Sequence, residues 1–403
     1  MSAIYNSETR KHSWWEPMPS DFWAKVNGHE WKREYAYHIS DASSYEVNLY
    51  WGGDNVHARA NINLSSRTKV CLFVGRMRED KHGLRKGDFV IATGQPSDCN
   101  DASNLTLLWR PAPDWMKKID GNKKLSEFNI PGTHDTCSLY GGAQTETQSM
   151  RLGPQLYAGI RFIDIRCRHL KDTFHIYHGD VSQKLDFGRG VQKVCVDYLK
   201  QHPKETIIML VKETSSASGN KRSFEDTMKA YIKDAPEYWF TGDYIPTLDE
   251  VRGKIVLVSG FKGSIGIPAH DGWSEGGCTF TLNDDAPSEL SKRKLRIQDC
   301  YGMSDTVKSF NDKWNKIESL FRGATDGSKN VWYWNYTSGS SSGFPILCFP
   351  GNVAKKGLFG QKGMNKRLEE YLKKGGADRY GTIIMDFPEW ENNVLIPLIL
   401  DKN

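Results

Sequence analysis

Three short stretches organise this sequence: Ile130-Pro-Gly-Thr-His-Asp135, Arg161-Phe-Ile-Asp-Ile-Arg166 and His175-Ile-Tyr-His-Gly179. Each is a short apolar run that ends in ionisable side chains. Apolar runs of this length predict buried strands. Charged groups at the ends of buried strands are costly unless they are paired or used in chemistry. The three stretches therefore predict a functional site as well as three successive strands.

From Trp115 onward, the pattern is of strands that alternate with helices. We place eight strands near 125–130, 160–166, 173–177, 205–212, 254–260, 294–299, 331–336 and 381–386. Helical patterns lie at 188–201, 222–233, 303–322 and 362–374. This alternation predicts an α/β fold, a distorted (β/α)₈ TIM barrel, whose functional residues lie at the C-terminal ends of the strands.

Residues 1–112 have a different pattern, with period-two runs separated by Gly-, Ser- and Asp-rich turns. Such runs predict a small antiparallel β domain, sandwich-like in architecture. The two prolines of Arg110-Pro-Ala-Pro-Asp114 disfavour helix and strand alike and mark a connector. We therefore predict an N-terminal β-rich domain at 1–112 and a catalytic barrel at 113–403.

The composition sets limits on location and partners. The net charge of +5 is mild and no basic stripe is present, so nucleic acid is not an expected partner. No apolar run reaches the roughly 18 residues that a membrane span needs, and no apolar leader core is visible at the start. The eight cysteines form no C-x-x-C pair and are expected to be reduced thiols. These features favour a cytoplasmic location; a secreted protein whose leader is absent from this chain is the alternative.

Chemically useful side chains collect at one end of the predicted strands. They are His134, Asp135, Asp164, Arg166, His178, Lys212, Asp299, Tyr301 and Asp386. Histidine titrates near neutral pH, so two histidines can serve as base and acid, while a guanidinium carries a permanent positive charge. This set suits attack on a phosphodiester by a hydroxyl group of the substrate itself.

Eight motifs of the chain, in order, resemble those of the phosphatidylinositol-specific phospholipase C family in its bacterial, metal-independent form. The motifs are I-P-G-T-H-D (130–135), F-I-D-I-R-C-R (162–168), Y-H-G (177–179), E-T-I-I-M-L-V-K (205–212), R-G-K-I-V-L-V (252–258), I-Q-D-C-Y (297–301), N-Y-T-S-G-S-S-S-G (335–343) and I-I-M-D-F (383–387). The resemblance covers residues 113–403 and implies the same barrel fold.

The resemblance also implies catalytic roles. His134 matches the general base and His178 the general acid. Asp386 is expected to pair with His134, and Asp135 to support His178, because such carboxylates fix the orientation of an imidazole and stabilise its charged form. Arg166 matches the arginine that contacts the phosphate, where its fork can hold two oxygens.

The implied substrate-binding residues are Asp164, beside Arg166, and Lys212, Asp299 and Tyr301, which match residues that hold the inositol ring. No metal and no cofactor are expected, because calcium prefers six to eight oxygen ligands and Arg166 would repel it. Two plainer interpretations stay open: Arg166 and Asp164 could form a structural ion pair, and Lys212 could pair with Glu213 or Asp299.

The sequence departs from the family after the fifth strand. Bacterial members carry an inositol-contacting arginine where this chain has Gly260, next to Ser259. The missing contact is either lost or supplied by Lys262. Trp273 lies in a Gly-rich loop nearby, where contact with a lipid surface and ordinary packing are both open.

The predicted function is cleavage of phosphatidylinositol to diacylglycerol and inositol 1,2-cyclic phosphate. The alternatives are a metal-dependent glycerophosphodiester phosphodiesterase and a non-catalytic lipid-binding protein. Expected partners are phosphatidylinositol, with glycosyl-phosphatidylinositol as an open alternative, and a membrane surface. Membrane contact is assigned, as a hypothesis, to the Trp-rich N-terminal domain.

Overall fold

The computed structural model describes residues 112–403 except 275–277, 285–291, 305, 342–347, 359, 376 and 390–393, and within 1–111 it describes the backbone of eight strands. The chain divides into two compact units. The first unit comprises Met1–Ala112 and Glu389–Pro397, and the second comprises Pro113–Pro388 and Leu398–Asn403.

The described strands of the first unit form an antiparallel sheet. They are β1 (Ala3–Tyr5), β2 (Trp15–Glu16), β3 (Trp23–Val26), β4 (His29–Lys32), β5 (Ala36–Tyr50), β6 (Val56–Met77), β7 (Phe89–Gly94) and β8 (Thr106–Trp109). Their order is β4-β3-β5-β6-β7-β8, with β1 paired to β5 and β2 paired to β6. The sandwich-like architecture stays a prediction.

The second unit alternates strands and helices. Its strands are β9 (Ile130–Thr133), β10 (Phe162–Leu170), β11 (Thr173–His178), β12 (Val181–Asp186), β13 (Ile207–Glu213), β14 (Trp239–Phe240), β15 (Ile255–Gly260), β16 (Ile267–Pro268), β17 (Thr279–Leu282), β18 (Leu295–Gln298), β19 (Trp332–Tyr336) and β20 (Thr382–Met385). The helices are α1 (Leu152–Ala158), α2 (Lys193–Gln201), α3 (Phe224–Lys233), α4 (Leu248–Val251), α5 (Val307–Asp326) and α6 (Met364–Lys374). A last helix, α7 (Leu395–Leu400), begins in the first unit and ends in the second. The four predicted helical segments are confirmed.

Eight parallel strands form the centre of the second unit, in the order β14-β15-β13-β10-β9-β20-β19-β18. Strand β17 continues the sheet antiparallel to β18. Among the described residues, no backbone pairing joins β14 to β17 or β18, so the sheet is open between them. The predicted α/β class is confirmed. Because the strands are parallel, their C-terminal ends share one edge of the sheet.

The prediction that residues 173–177 form the third strand of the barrel is wrong. Residues Thr173–His178 do form a strand, but it runs antiparallel to β10. The turn between the two strands consists of Lys171 and Asp172, both with positive φ (49° and 58°). Two such residues make a tight hairpin turn whose twist matches that of the flanking strands. The eighth parallel strand is instead the short Trp239–Phe240.

Two other boundaries differ from the prediction. The first parallel strand begins at Ile130, and Leu125–Glu127 before it is a 3₁₀ turn. Strand β10 does not end at Arg166 but continues to Leu170, because its last residues pair with the hairpin partner β11. The catalytic candidates on β10 thus lie on a strand that is held on both sides.

Apolar side chains that alternate along the parallel strands fill the interior of the second unit. They include Phe162, Ile208, Leu210, Val256, Val258, Ile297, Trp332, Trp334 and Ile384, all buried. This layer lies beneath the strand ends and gives the site a rigid floor. Among the described residues, no helix is both long and apolar enough to cross a membrane.

The expectation that the cysteines are all free thiols is wrong for two of them. Cys278 and Cys300 form a disulfide. The antiparallel pairing of β17 with β18 brings these positions together, since Thr279 lies opposite Gln298. This hairpin has no clear signal in the sequence. Cys137, Cys167 and Cys195 are free thiols, and all three are buried, as is Cys348.

Candidate active site

His134 and Asp386 lie side by side because the strands that precede them are neighbours. Thr133 ends β9 opposite Met385, the last residue of β20, so the next residue of each strand emerges at the same point. The His134 Nδ1 atom lies 2.8 Å from Asp386 Oδ1. Gln148 fastens both strand ends, since its Nε2 donates to the carbonyls of His134 at 2.9 Å and Met385 at 3.0 Å. The predicted pairing of Asp386 with His134 is confirmed.

Arg166 lies on the other side of the His134 ring. Its Nη2 atom is 2.7 Å from His134 Nε2 and 3.2 Å from Asp164 Oδ2. Asp164 and Arg166 are two residues apart on β10, so both side chains lie on the same face of the sheet. Asp164 and Arg166 do form an ion pair. However, Arg166 also contacts the His134 imidazole and lines an open cavity. A purely structural pair does not explain those two features.

These contacts fix the tautomer of His134. A guanidinium nitrogen can only donate, so the Nε2 atom of His134 must accept and Nδ1 must carry the proton. Asp386 Oδ1 then accepts from Nδ1, and an ionised carboxylate is the stronger acceptor for this hydrogen bond. Burial, followed by the charge of Arg166, lowers the pKa of His134 well below its ordinary value. Burial raises the pKa of Asp386, but the donor geometry favours its ionised form.

Asp135 and His178 form a second pair. Asp135 is fully buried and has a φ of 39°, which turns the chain sharply after β9. Its Oδ2 atom lies 3.1 Å from His178 Nδ1, in contact but without good hydrogen-bond direction. The better-directed partner of that nitrogen is the hydroxyl of Ser138, also at 3.1 Å. The Ser138 hydroxyl donates to the carbonyl of Thr145 at 2.8 Å, so it can only accept from His178.

Burial and the charge of Arg166 act in opposite directions on the neighbouring carboxyls. Burial raises the pKa of Asp135 to about 7, with Arg166 opposing it. For Asp164 burial also works upward, but Arg166 and Lys212 together hold its pKa at about 2. Burial and then Arg166 lower the pKa of His178 to about 4. Asp135 and His178 are therefore poised to share one proton near neutral pH.

The predicted substrate-binding residues lie opposite the two histidines. Lys212 lies on β13, and Asp299 and Tyr301 follow β18. The Lys212 ammonium is 3.5 Å from the ring centre of Trp273 and 5.9 Å from that of Tyr336. Its pairing with Glu213 or Asp299, left open by the sequence, is not observed among the described residues. Burial lowers the pKa of Lys212.

Gly260 has a steric role. It lies opposite Lys212 across the β13–β15 pair, and a Cβ atom at this position would come within 2.6 Å of the Lys212 side chain. Ser259 turns away, since it is buried and its hydroxyl donates to the carbonyl of Ile265. Lys262 lines the cavity. Lys262, the residue considered for the missing arginine contact, therefore faces the site, whereas Ser259 does not.

A single cavity of about 790 Å³ connects these groups. Its lining includes His134, Arg166, His178, Lys212, Asp299, Tyr301 and Asp386. Asp135 and Asp164 lie behind this layer, where both carboxyls are fully buried. The structure thus brings together all nine residues that the sequence selected. Sequence reasoning missed Ser138 and Gln148, which only a view of the hydrogen bonds identifies.

Within the part of the chain that the structure describes, no group of three His, Cys, Asp or Glu side chains is arranged to hold a metal ion. The two carboxylates nearest to the phosphate-binding candidate are Asp164 and Asp135, and both face the Arg166 guanidinium, at 3.2 and 3.7 Å. The expectation that no metal is required stays a prediction.

Comparison with known proteins agrees with this geometry. Residues 122–260 match the family model "Phosphatidylinositol-specific phospholipase C, X domain". A 1-phosphatidylinositol phosphodiesterase of Listeria monocytogenes is 32% identical over 295 residues, covering 68% of this chain and 81% of that protein. The chain belongs to the phosphatidylinositol-specific phospholipase C family.

Other members of the phosphatidylinositol-specific phospholipase C family extend the similarity. A 1-phosphatidylinositol phosphodiesterase of Staphylococcus aureus is 29% identical over 310 residues, which is 72% of this chain and 94% of that one. A crystal structure of the Staphylococcus aureus phospholipase superposes with a TM-score of 0.61 at 28% identity, covering 72% of this chain and 97% of that chain. For the Listeria monocytogenes structure the TM-score is 0.55, also at 28% identity, with 72% and 98% covered. The resemblance drawn from the eight motifs is confirmed.

Proposed function

We propose that this chain is a phosphatidylinositol-specific phospholipase C that cleaves the phosphodiester of phosphatidylinositol by attack of the inositol 2-hydroxyl. The observation that carries the proposal is a single cavity whose lining includes the imidazoles of His134 and His178 and the guanidinium of Arg166. Each imidazole has a carboxylate against its inner nitrogen, Asp386 for one and Asp135 for the other. The products are diacylglycerol and inositol 1,2-cyclic phosphate.

His134 is the proposed base. Its Nδ1–H donates to Asp386, so the Nε2 lone pair is the atom available for a proton. In the structure the Arg166 guanidinium covers that lone pair at 2.7 Å. A bound phosphodiester attracts the guanidinium toward its own oxygens, because a charge-assisted fork on an anion is stronger than a contact with a neutral ring. Substrate binding itself therefore frees the base, and the 2-hydroxyl can transfer its proton as its oxygen attacks phosphorus.

Arg166 is the proposed stabiliser of the charge that develops on the phosphate. Among the described residues its Nε atom has no hydrogen-bond partner, and its side chain is 23% exposed. Asp164, ionised because its pKa is held at about 2, keeps the guanidinium oriented. Preorganised donors of this kind are commonly the largest single contribution to catalysis.

His178 is the proposed acid for the diacylglycerol oxygen. In the unliganded site, burial and Arg166 hold its pKa at about 4, while Asp135 has a pKa of about 7. The pair therefore retains one proton until about neutral pH. Once the phosphate neutralises the charge of Arg166, that charge no longer lowers the pKa of His178 as strongly. The proton then moves from Asp135 to the imidazole. From there it is given to the leaving oxygen, which completes the cleavage.

The test is phosphorus NMR of the product formed from phosphatidylinositol in the presence of a chelator. We expect a cyclic phosphate signal with the wild-type chain and its loss in His134→Ala. The matched control is His175→Ala on β11, which removes a partly exposed histidine that contacts Thr173 and should leave the rate unchanged. Full turnover by His134→Ala would refute the proposed base, and loss of wild-type activity on chelation would favour the metal-dependent alternative.

We also propose that residues 113–403 form a distorted (β/α)₈ barrel and that residues 1–112 form a separate small β domain.

The location of the protein is a further proposal. The Cys278–Cys300 disulfide favours the secreted alternative over the cytoplasmic one. Glycosyl-phosphatidylinositol shares the inositol phosphodiester and is proposed as a second substrate, tested by release of an anchored protein from cells.

Contact with a membrane is also a proposal, and one of the similar solved structures, that of the Staphylococcus aureus phospholipase, concerns modulation of its membrane binding. The proposal is supported by Tyr301, which is 44% exposed and lines the cavity, because exposed aromatic rings favour a lipid interface. Vesicles of phosphatidylcholine with and without phosphatidylinositol separate substrate binding from surface binding. If a chain without residues 1–112 sediments with vesicles as the full chain does, the hypothesis that the N-terminal segment binds membranes is wrong.

A further inference from the structure

The segment Asp299–Tyr301 alternates between the two sides of the cavity wall. The side chains of Asp299 and Tyr301 line the active-site cavity. Cys300, between them, is bonded to Cys278 and lines a second cavity of about 530 Å³. An open space on the far side means that packing alone does not hold this segment against the site. Its position must come from specific attachments.

The Cys300 amide donates to Gln298 Oε1 at 2.8 Å, and the Tyr301 carbonyl accepts from the Ser340 amide at 2.9 Å. Three further attachments join the segment to Cys278 and to helix α5. The first is the Cys278–Cys300 disulfide itself. The second is the backbone, in which the Asp299 amide donates to the carbonyl of Cys278 at 3.0 Å. The third is Lys313 on helix α5, whose ammonium donates to the carbonyls of Cys300 at 2.8 Å and Tyr336 at 3.2 Å. Together they join the segment to its hairpin, to α5 and to β19.

Lys313 is unusual for a residue on a surface helix. It is 3% exposed, and burial lowers its pKa to about 8. A buried ammonium is costly unless its protons are accepted, and here two strand-end carbonyls accept them. Its neighbours on the exposed face of α5 do not share this role: Lys308 pairs with Asp312 and is largely exposed. The buried lysine thus fixes backbone positions at the ends of β18 and β19.

We infer that the Cys278–Cys300 disulfide and the Lys313 ammonium position the Asp299–Tyr301 segment for recognition of the inositol ring. The inference rests on the proposed function, because it assigns these groups to the headgroup side of the same cavity. They touch neither phosphate nor base, so they act on binding of the ring and not on the chemical step. Loss of an attachment lets the segment move toward the second cavity and weakens the hold on inositol.

The experiment measures cleavage of phosphatidylinositol and, separately, the inhibition constant of myo-inositol, which reports ring binding without chemistry or a lipid surface. In Lys313→Met we expect the inhibition constant and KM to rise about fivefold or more with kcat within about twofold, the pattern for lost ground-state binding. Lys308→Met, on the same helix, is the matched control and should match the wild type.

The second arm uses the wild-type chain and needs no variant to fold. Dithiothreitol donates two electrons and two protons to the Cys278–Cys300 bond and is itself oxidised to a cyclic disulfide. We expect a rise of about threefold in the inhibition constant for myo-inositol, and no effect of the reductant on a Cys278→Ala/Cys300→Ala double variant. That variant should already bind inositol as weakly as the reduced wild type does.

The outcomes separate this inference from the proposed function. If the wild-type chain forms no cyclic phosphate and myo-inositol does not inhibit it, the proposed function fails and the inference with it. If the wild type is active but reduction and Lys313→Met both leave the inhibition constant unchanged, the inference alone is overturned. A fall in kcat at unchanged KM in either arm also overturns it, because that pattern indicates an effect on the chemical step.

Discussion

Two arginines five residues apart, one immediately before β10 and the other in the middle of that strand, show how a buried charge is made structural or functional. Arg161 precedes β10 and is fully buried, whereas Arg166 lies at the cavity and is 23% exposed. Arg161 donates to Glu205 Oε2 from both Nε and Nη2, at 2.9 and 2.8 Å. The Arg166 Nε atom has no partner in the described part of the chain.

The remaining donors of Arg161 are also engaged. Its Nη1 atom donates to the carbonyls of Leu156 and Ile160 at 2.7 and 2.8 Å, and its Nη2 atom donates to that of Pro113 at 2.8 Å. A guanidinium whose donors are all satisfied within the protein can only hold the fold together. One with unsatisfied donors beside an open cavity is prepared for an anion. Whether the donors of each arginine are satisfied within the protein, and not its charge or burial alone, therefore distinguishes the two roles.

The largest expected effect on activity is that of Arg166→Lys, which tests the functional role assigned to Arg166. The charge is kept but the two-pronged fork is lost, so kcat/KM for phosphatidylinositol should fall about 10²- to 10³-fold. The free energy of unfolding should change by less than about 1 kcal/mol, because the residue is partly solvated. Initial rates and urea denaturation measure the two quantities. Near wild-type turnover by this variant would mean that charge alone suffices.

The same substitution at Arg161, just before the strand, should reverse the pattern. A lysine at position 161 has only the three N–H donors of its ammonium group, whereas the acceptors around Arg161 are arranged for a planar guanidinium. Some of the buried carbonyls therefore lose their hydrogen-bond partner in Arg161→Lys. The free energy of unfolding should fall by about 2–4 kcal/mol, while kcat/KM of the folded protein stays unchanged. Urea denaturation with rates measured in parallel checks this. A large loss of kcat/KM in a fully folded Arg161→Lys sample would contradict the division of roles.

The next prediction concerns the proton shared by Asp135 and His178. With a pKa of about 7 at Asp135, the pair loses its proton near neutral pH, so kcat/KM should decline as pH rises through about 7. In Asp135→Asn the proton is held by His178 alone, whose pKa is about 4. The alkaline limb should then move down by about two pH units or more. The measurement is kcat/KM from pH 4 to 9 for both proteins. If the alkaline decline of kcat/KM falls at the same pH in Asp135→Asn as in the wild type, the Asp135–His178 pair is not its cause.

The smallest expected effect is on acid stability. Arg166 and Lys212 hold the pKa of Asp164 at about 2, below its ordinary value near 4. A lowered pKa stabilises the fold above the unfolded-state value, and that stabilisation is lost as pH falls from about 4 to about 2. At about 1.4 kcal/mol per pH unit, the loss is roughly 2–3 kcal/mol. Comparing acid unfolding of the wild type and Asp164→Asn isolates it. Parallel acid curves would show that Asp164 has no such role.

Much of the site was predictable because parallel strands place their C-terminal ends at one edge. His134 and Asp386 are 252 residues apart in sequence, yet each directly follows a strand of the sheet, so recognising the two strands was enough to bring them together. The third strand was not predictable in the same way. An apolar run gives no sign of its direction, and the two-residue turn Lys171-Asp172 lacks the glycine that usually marks such a hairpin.

The sequence alone determined the identity of the family, the α/β class and the nine residues around the cavity, because strand pattern and strand-end chemistry are local properties. Tertiary structure alone decided which donors are satisfied, which cysteines are joined and which lysine is buried. Cys278 meets Cys300, and Lys313 reaches two strand-end carbonyls, only after the sheet and α5 have packed. These contacts depend on distances across the fold, and no local pattern of residues encodes such distances.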